Sequence, residues 1–173
     1  MIISRRFVLA APVLLAGCQF LPPMPDETGA PVGLVEGFAG RAAGSGVFTR
    51  KHGRGEEHFT LAQNGRLQRG QLVVHQVFAF ANGLRNRLTW QFEPEAPGLW
   101  LGRRDDLIGT ARVVERQGMV WFSYTADFAR PAGVTRWGFE EVLYRRPDGA
   151  LVIDGVLSEG STPALNLRVV LRG

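Results

Sequence analysis

Two carboxylate doublets, Asp105-Asp106 and Glu140-Glu141, have a spacing that could supply acid–base chemistry. Neighbours on a strand point to opposite faces, so at most one member of each doublet can turn inward. Glu141 shares a row with Trp137, Phe139 and Leu143, while Glu140 shares one with Arg136, Gly138, Val142 and Tyr144. Glu141 is therefore the carboxylate set among apolar neighbours, where desolvation raises a pKa toward the range of a general acid; the same place also suits an ion pair with Arg. Asp105-Asp106 follows Gly102-Arg103-Arg104 and reads as a charged turn. His52, His58 and His75 are scattered without metal-ligand spacing, and one Cys makes no pair, so no metal or cofactor is expected. His75 falls on the strand face opposite Gln76, with no nucleophile or orienting carboxylate around it, and is expected to face outward. The glycines from Gly40 to Gly46 open a strand, not the helix that a phosphate cradle requires. No catalytic residue is assigned.

The remaining candidates are aromatic: Phe78, Phe80, Trp90, Phe92, Trp121, Phe122, Tyr124, Trp137 and Phe139. Singly, each is a core residue. Together they could line a cavity for one small ligand, oriented by isolated polar groups such as Gln76, Tyr124 and Glu141. The candidate ligand-binding set is thus Gln76, Phe78, Phe80, Trp90, Tyr124 and Glu141.

The elements that must position these residues are strands. Of 173 residues, 45% are hydrophobic and 21% charged, which describes one globular domain and excludes a disordered chain or a multi-span helical membrane protein. Turn signals recur at Gly53-Arg54-Gly55, Asn64-Gly65, Asn82-Gly83, Pro97-Gly98, Gln117-Gly118, Pro147-Asp148-Gly149 and Gly160-Ser161-Thr162-Pro163. Between them, apolar residues alternate with polar ones, as in Leu165, Leu167, Val169, Leu171 and in Leu88, Trp90, Phe92. The pattern predicts an all-β, antiparallel up-and-down meander of about 8–10 strands, closed into a barrel to remove its edges.

One hairpin can be tested for register. A two-residue turn at Asn82-Gly83 would put Phe78 opposite Arg87 and Phe80 opposite Arg85, mixing large apolar residues with charges on one face. A three-residue loop over 82–84 instead sets Phe78 opposite Leu88, Gln76 opposite Trp90 and Val74 opposite Phe92. Gln76, Phe78, Leu88 and Trp90 are then expected inside, with His75 and Arg87 outside.

The N-terminus reads as an address. Ser4-Arg5-Arg6 precedes an apolar run, Phe7 to Ala16, much shorter than the roughly 20 residues that span a bilayer. It ends at Leu14-Leu15-Ala16-Gly17-Cys18, which resembles the lipobox of bacterial lipoproteins, so Cys18 is the expected lipidation site and membrane anchor. Gln19 stands where an inner-membrane retention signal would show Asp, which points to the periplasmic face of the outer membrane. Ser4-Arg5-Arg6-Phe7-Val8-Leu9 also looks like a weakened twin-arginine motif, and the export route stays open. The expected organisation is a signal peptide over 1–17, a lipidated Cys and Pro-rich tether over 18–31, and one barrel domain over 32–173. Loss of residues 1–17 removes Arg5 and Arg6, leaving 18 basic against 16 acidic residues, a net charge of +2 in place of +4. No basic run or helix suggests nucleic acid as a partner, and a monomer is expected.

Several motifs together resemble the bacterial lipoprotein family known as domain of unknown function 3833. They are Val35-Glu36-Gly37-Phe38 with Gly40, Gly44 and Gly46; Phe78-Ala79-Phe80-Ala81-Asn82-Gly83 followed by Trp90; Gly102-Arg103-Arg104-Asp105-Asp106-Leu107-Ile108-Gly109-Thr110-Ala111; Trp121 and Tyr124; and Phe139-Glu140-Glu141-Val142-Leu143. The resemblance implies a lipocalin-like, or calycin, barrel with the Phe38 region in its opening strand, and no established activity. Where the family commonly carries Glu on the third strand and Arg two residues before the Trp, this chain has Gln76 and Leu88. Losing both members of a buried pair is tolerable where losing one is not.

The leading expectation is an outer-membrane-anchored barrel that binds an apolar or amphipathic molecule, such as a fatty acyl or lipid species. One alternative is a structural, interaction or lipid-chaperone lipoprotein without a closed cavity. Another is a small barrel isomerase or hydrolase using Glu141 with Tyr124 or an Arg.

Overall fold

The computed structural model of the protein describes residues 21–173 apart from Pro23 and Arg54. A single short helix, α1 (Leu34–Phe38), precedes ten strands: β1 (Gly40–Arg50), β2 (Glu56–Gln68), β3 (Gln71–Phe80), β4 (Arg85–Ala96), β5 (Leu99–Arg103), β6 (Ala111–Arg116), β7 (Met119–Arg130), β8 (Gly133–Arg145), β9 (Leu151–Glu159) and β10 (Thr162–Arg172). Each strand pairs antiparallel with the next, and β1 pairs with β10 to close the barrel. The expected meander is the fold. Alternation sorts its faces: Leu165, Leu167, Val169 and Leu171 of β10 are buried in the interior, while Asn166, Arg168 and Arg172 are exposed.

Two turn expectations are corrected. Asn64-Gly65 lies inside β2, and the reversal occurs five residues later at Arg69-Gly70, both with positive φ. Gly65 is a packing glycine: a Cβ there would stand 1.9 Å from the Phe38 carbonyl oxygen. The β3–β4 loop does have three residues, but they are 81–83. Phe80 donates its N–H to the Leu84 carbonyl, and the Leu84 N–H bonds the Asn82 side chain. A three-residue hairpin loop requires a left-handed residue in its last place, and Gly83, at φ 88°, fills it. Every partner therefore moves by two: Phe78 faces Asn86, Gln76 faces Leu88, Val74 faces Trp90 and Leu72 faces Phe92. A shift of two preserves the faces. Gln76, Phe78 and Trp90 are buried, Leu88 packs against the core, and His75 and Arg87 are exposed.

The Phe38 region is helix, not opening strand. The Glu36 carboxylate reaches back to the Gly33 N–H, and the Glu115 carboxylate accepts the Leu34 N–H at 2.7 Å, so two free donors of the helix start are met. Leu34 and Phe38 are buried, with the Phe38 ring 5.9 Å from Phe122 and 6.2 Å from Phe92. Thus α1 plugs the end of the barrel where the β6–β7 turn lies. The stretch read as a tether meets the outer wall on its way there: Pro22 is buried, Gly29 donates to the Arg145 carbonyl at 2.6 Å, and Val32 donates to that of Gly118.

Candidate functional site

Inside the barrel, β3 contributes Gln76 and Phe78, β4 Trp90 and Phe92, β7 Phe122 and Tyr124, and β8 Phe139 and Glu141. The rings make a stacked and edged wall: Tyr124 stacks on Phe139 at 4.6 Å and meets Trp90 edge-on at 5.2 Å. The Tyr124 hydroxyl donates to Glu141 Oε1 at 3.2 Å. Gly155 of β9 stands opposite Glu141 and leaves the space this side chain uses, since a Cβ there would lie 2.9 Å from Glu141 Cγ.

The fourth polar member was not foreseen from sequence. Arg104 follows the short β5, and the segment after it folds back on β7: the Asp106 carbonyl accepts the Asp127 N–H, Leu107 bridges to Ala126, and Ile108 donates to the Thr125 carbonyl. This carries the Arg104 side chain, 4% exposed, into the barrel. Its guanidinium lies 4.3 Å from the Trp90 ring centre and 5.3 Å from that of Tyr124, and its fork closes on the Asp106 carboxylate, with Nη2 to Oδ2 at 3.0 Å. The charged turn expected at Asp105-Asp106 is real, but its neighbour Arg104 points inward. Strand parity offered a signal, because Arg104 continues the row of buried Gly102.

Burial pushes the Glu141 carboxyl up to about 7, against the Arg104 charge and the Tyr124 hydrogen bond, which both favour the anion. The Tyr124 hydroxyl is held well above its ordinary range, first by burial and then by the Glu141 charge. Tyr124 is thus a lasting donor, and Glu141 a group that exchanges its proton near neutral pH.

Arg104 and five residues of the expected binding set, Gln76, Phe78, Trp90, Tyr124 and Glu141, line one void of about 40 Å³. Phe80 does not reach it; it packs on Phe59 nearer the opposite end from α1. A void holds a water from about 10–15 Å³ upward, whereas pockets for drug-sized ligands run to about 300–1,000 Å³. The space is sized for water in this conformation, which corrects the expectation of a ready cavity. Gln76 and Leu88, the positions read as a replaced ion pair, are direct cross-strand partners, and Gln76 lines the void.

Elsewhere, His75 is exposed and shares a 3.0 Å hydrogen bond with Thr89, His58 is exposed beside Glu56, and His52 is exposed. Among the described residues, no three His, Cys, Asp or Glu side chains gather as a metal site. Cys18 and the signal-peptide boundary lie outside the described residues.

Fold and site together define a ten-stranded antiparallel β-barrel protein with a titratable polar cluster enclosed by aromatic rings. The chain belongs to the family described as Protein of unknown function (DUF3833), whose model matches residues 13–159. Comparison with curated proteins and with solved structures finds no match.

Proposed function

We propose that the protein is a lipocalin-like binding barrel, anchored through Cys18 at the periplasmic face of the outer membrane, that takes an apolar or amphipathic molecule of the fatty acyl or lipid class. The observation that carries this reading is the enclosed polar cluster of Glu141, Tyr124, Gln76 and Arg104. A barrel that served only as a scaffold would gain little from it, because apolar residues of similar volume in place of buried ionic groups are often neutral or stabilising. A few polar groups in an aromatic interior are what orients a ligand. The acyl chain needs far more room than about 40 Å³, so binding requires the filling side chains to move. Arg104 is the one that can leave without breaking a strand, since it belongs to the connection after β5.

Native mass spectrometry of the protein purified from its own host tests the reading: a co-purifying acyl or lipid mass supports it. If no mass travels with the protein, and neither thermal shift nor Trp fluorescence responds to a panel of acyl chains and phospholipids, the reading fails. Alkyne fatty acid labelling tests the anchor separately, with signal expected in wild type and lost in Cys18→Ser.

The small void favours a second reading, a filled barrel with a structural, interaction or chaperone role. Acid–base chemistry at Glu141 finds a suitable proton affinity there, but a substrate would need the same opening that a ligand does.

A further inference from the structure

We infer that the end of the barrel opposite α1 carries a separate site for a phosphate oxyanion, built from Arg130, Trp137, Thr135 and Arg50. Arg130 is the last inward residue of β7, after Tyr124, Ala126 and Phe128, and Thr135 and Trp137 open the inward row of β8. The Arg130 side chain is 6% exposed, yet it has one carboxylate partner, Glu57, at 3.1 Å from Nη1. Its guanidinium lies 5.0 Å from the Trp137 ring and 5.7 Å from that of Phe48.

Two buried donors here find no acceptor among the described residues: Arg130 Nε and the Trp137 indole Nε1. Buried N–H groups are almost always paired, so two orphans side by side call for an absent acceptor. Both residues line a recess of about 310 Å³ shared with Arg50, His52, Thr135, Glu159, Ala164 and Leu165. A second recess of about 250 Å³ adjoins it, sharing Arg50, Arg130 and Leu165.

The unmet donors, and not the net charge, select an acceptor as the occupant, since Arg50 and Arg130 stand against Glu56, Glu57 and Glu159 across the two recesses. Glu57 is committed to Arg130 and Glu56 to His58, while Glu159 is exposed at the rim. Burial and the nearby Arg50 charge push the Arg130 guanidinium below its ordinary value, with Glu57 opposing them. Arg130, Trp137 and Thr135 line one recess, and a phosphate entering it would accept from the Arg130 Nε, the indole N–H and the hydroxyl after a small shift of these side chains. The same group arrives free or on a lipid headgroup. The site is independent of the interior cluster, and its test does not depend on that reading.

The experiment titrates the full chain in zwitterionic detergent with inorganic phosphate and, separately, with dihexanoyl phosphatidic acid, while the Trp indole N–H resonances are followed by NMR. Trp137→Phe assigns its resonance and keeps the ring. The Trp137 signal should move saturably with at least one ligand, while Trp121, the other buried unpaired indole, stays in place as the reference. By isothermal titration calorimetry, which does not need the Trp137 resonance, Trp137→Phe should weaken binding at least fivefold and Arg130→Gln at least tenfold, with exposed Arg112→Gln unchanged. Response to both ligands assigns the site to phosphate itself, and response to phosphatidic acid alone assigns it to the headgroup. A Trp137 signal that moves with neither ligand in the folded wild type overturns the proposal and leaves bound water as the acceptor. Equal binding by all folded variants overturns it as well.

Discussion

The barrel holds the same three residue types, a carboxylate, a tyrosine and an arginine, in two places and joins them differently. On the outer wall, Arg168 forks onto Asp154 at 2.7 and 2.9 Å, and the Tyr144 hydroxyl donates to the same carboxylate at 2.9 Å. In the interior, Tyr124 bonds Glu141, but Arg104 turns its fork away to Asp106. Outside, all three groups are committed to one another: Asp154 raises Arg168, and Tyr144 is pushed up to about 12, by burial first and Asp154 second. Inside, the carboxylate keeps only a tyrosine and titrates near neutrality. Burial raises the interior carboxyl, and an arginine that spends its fork on Asp106 offsets only part of that rise.

Removing the interior cation should produce the largest effect. Arg104→Ala takes one partner from a buried pair and leaves a hole beside Trp90, so it is expected to cost about 3–5 kcal/mol by urea denaturation, with a change in Trp fluorescence. A loss under about 1 kcal/mol would mean that Arg104 lies outside the barrel in solution.

Next comes pH. Between 4.5 and about 7 the folded chain keeps a proton on Glu141 that the unfolded chain has released. Stability from this group is therefore complete below 4.5 and is lost as pH rises through about 7, a change of up to about 3 kcal/mol. Glu141→Gln should flatten that part of the stability profile and stabilise the protein above pH 7. An unchanged slope in the variant would place the titrating group elsewhere.

The outer cluster should respond less. Asp154→Asn keeps the Tyr144 contact but loses the ionic fork to a half-solvated arginine, for which about 1–2 kcal/mol is expected, with the slope between pH 4.5 and 7 retained. Arg87→Ala, exposed on β4, sets the floor at about 0.5 kcal/mol or less in the same melts.

What could be read in advance follows from the range of the forces. Period-two alternation is local, so the barrel, the inward row of Glu141 and the shared face of Gln76, Phe78 and Trp90 were legible. Asn64-Gly65 misled because its glycine answers to the Phe38 carbonyl, 27 residues earlier in the chain than Gly65, and no local rule reports that contact. The hairpin loop was misplaced by one residue because the left-handed position was not assigned to Gly83. Arg104 was hidden because the fold-back onto β7 that carries it inward is a tertiary event, although strand parity already set it on the row of Trp100 and Gly102. The size of the void depends on how the Phe rings interdigitate, and composition is silent on that.

Under the proposed anchor, the docked N-terminal stretch would set the stance of the whole molecule. Three residues lie between Cys18 and Pro22, the first buried one among the described residues, and the four residue steps reach about 14 Å at full extension. With Cys18 held in the membrane as proposed, that leash would be too short for the barrel to swing freely. The β8–β10 side, where Met24 to Glu27 face Tyr144, Asp154 and Arg168, would lie close to the headgroups, and the barrel axis would take a fixed tilt to the bilayer.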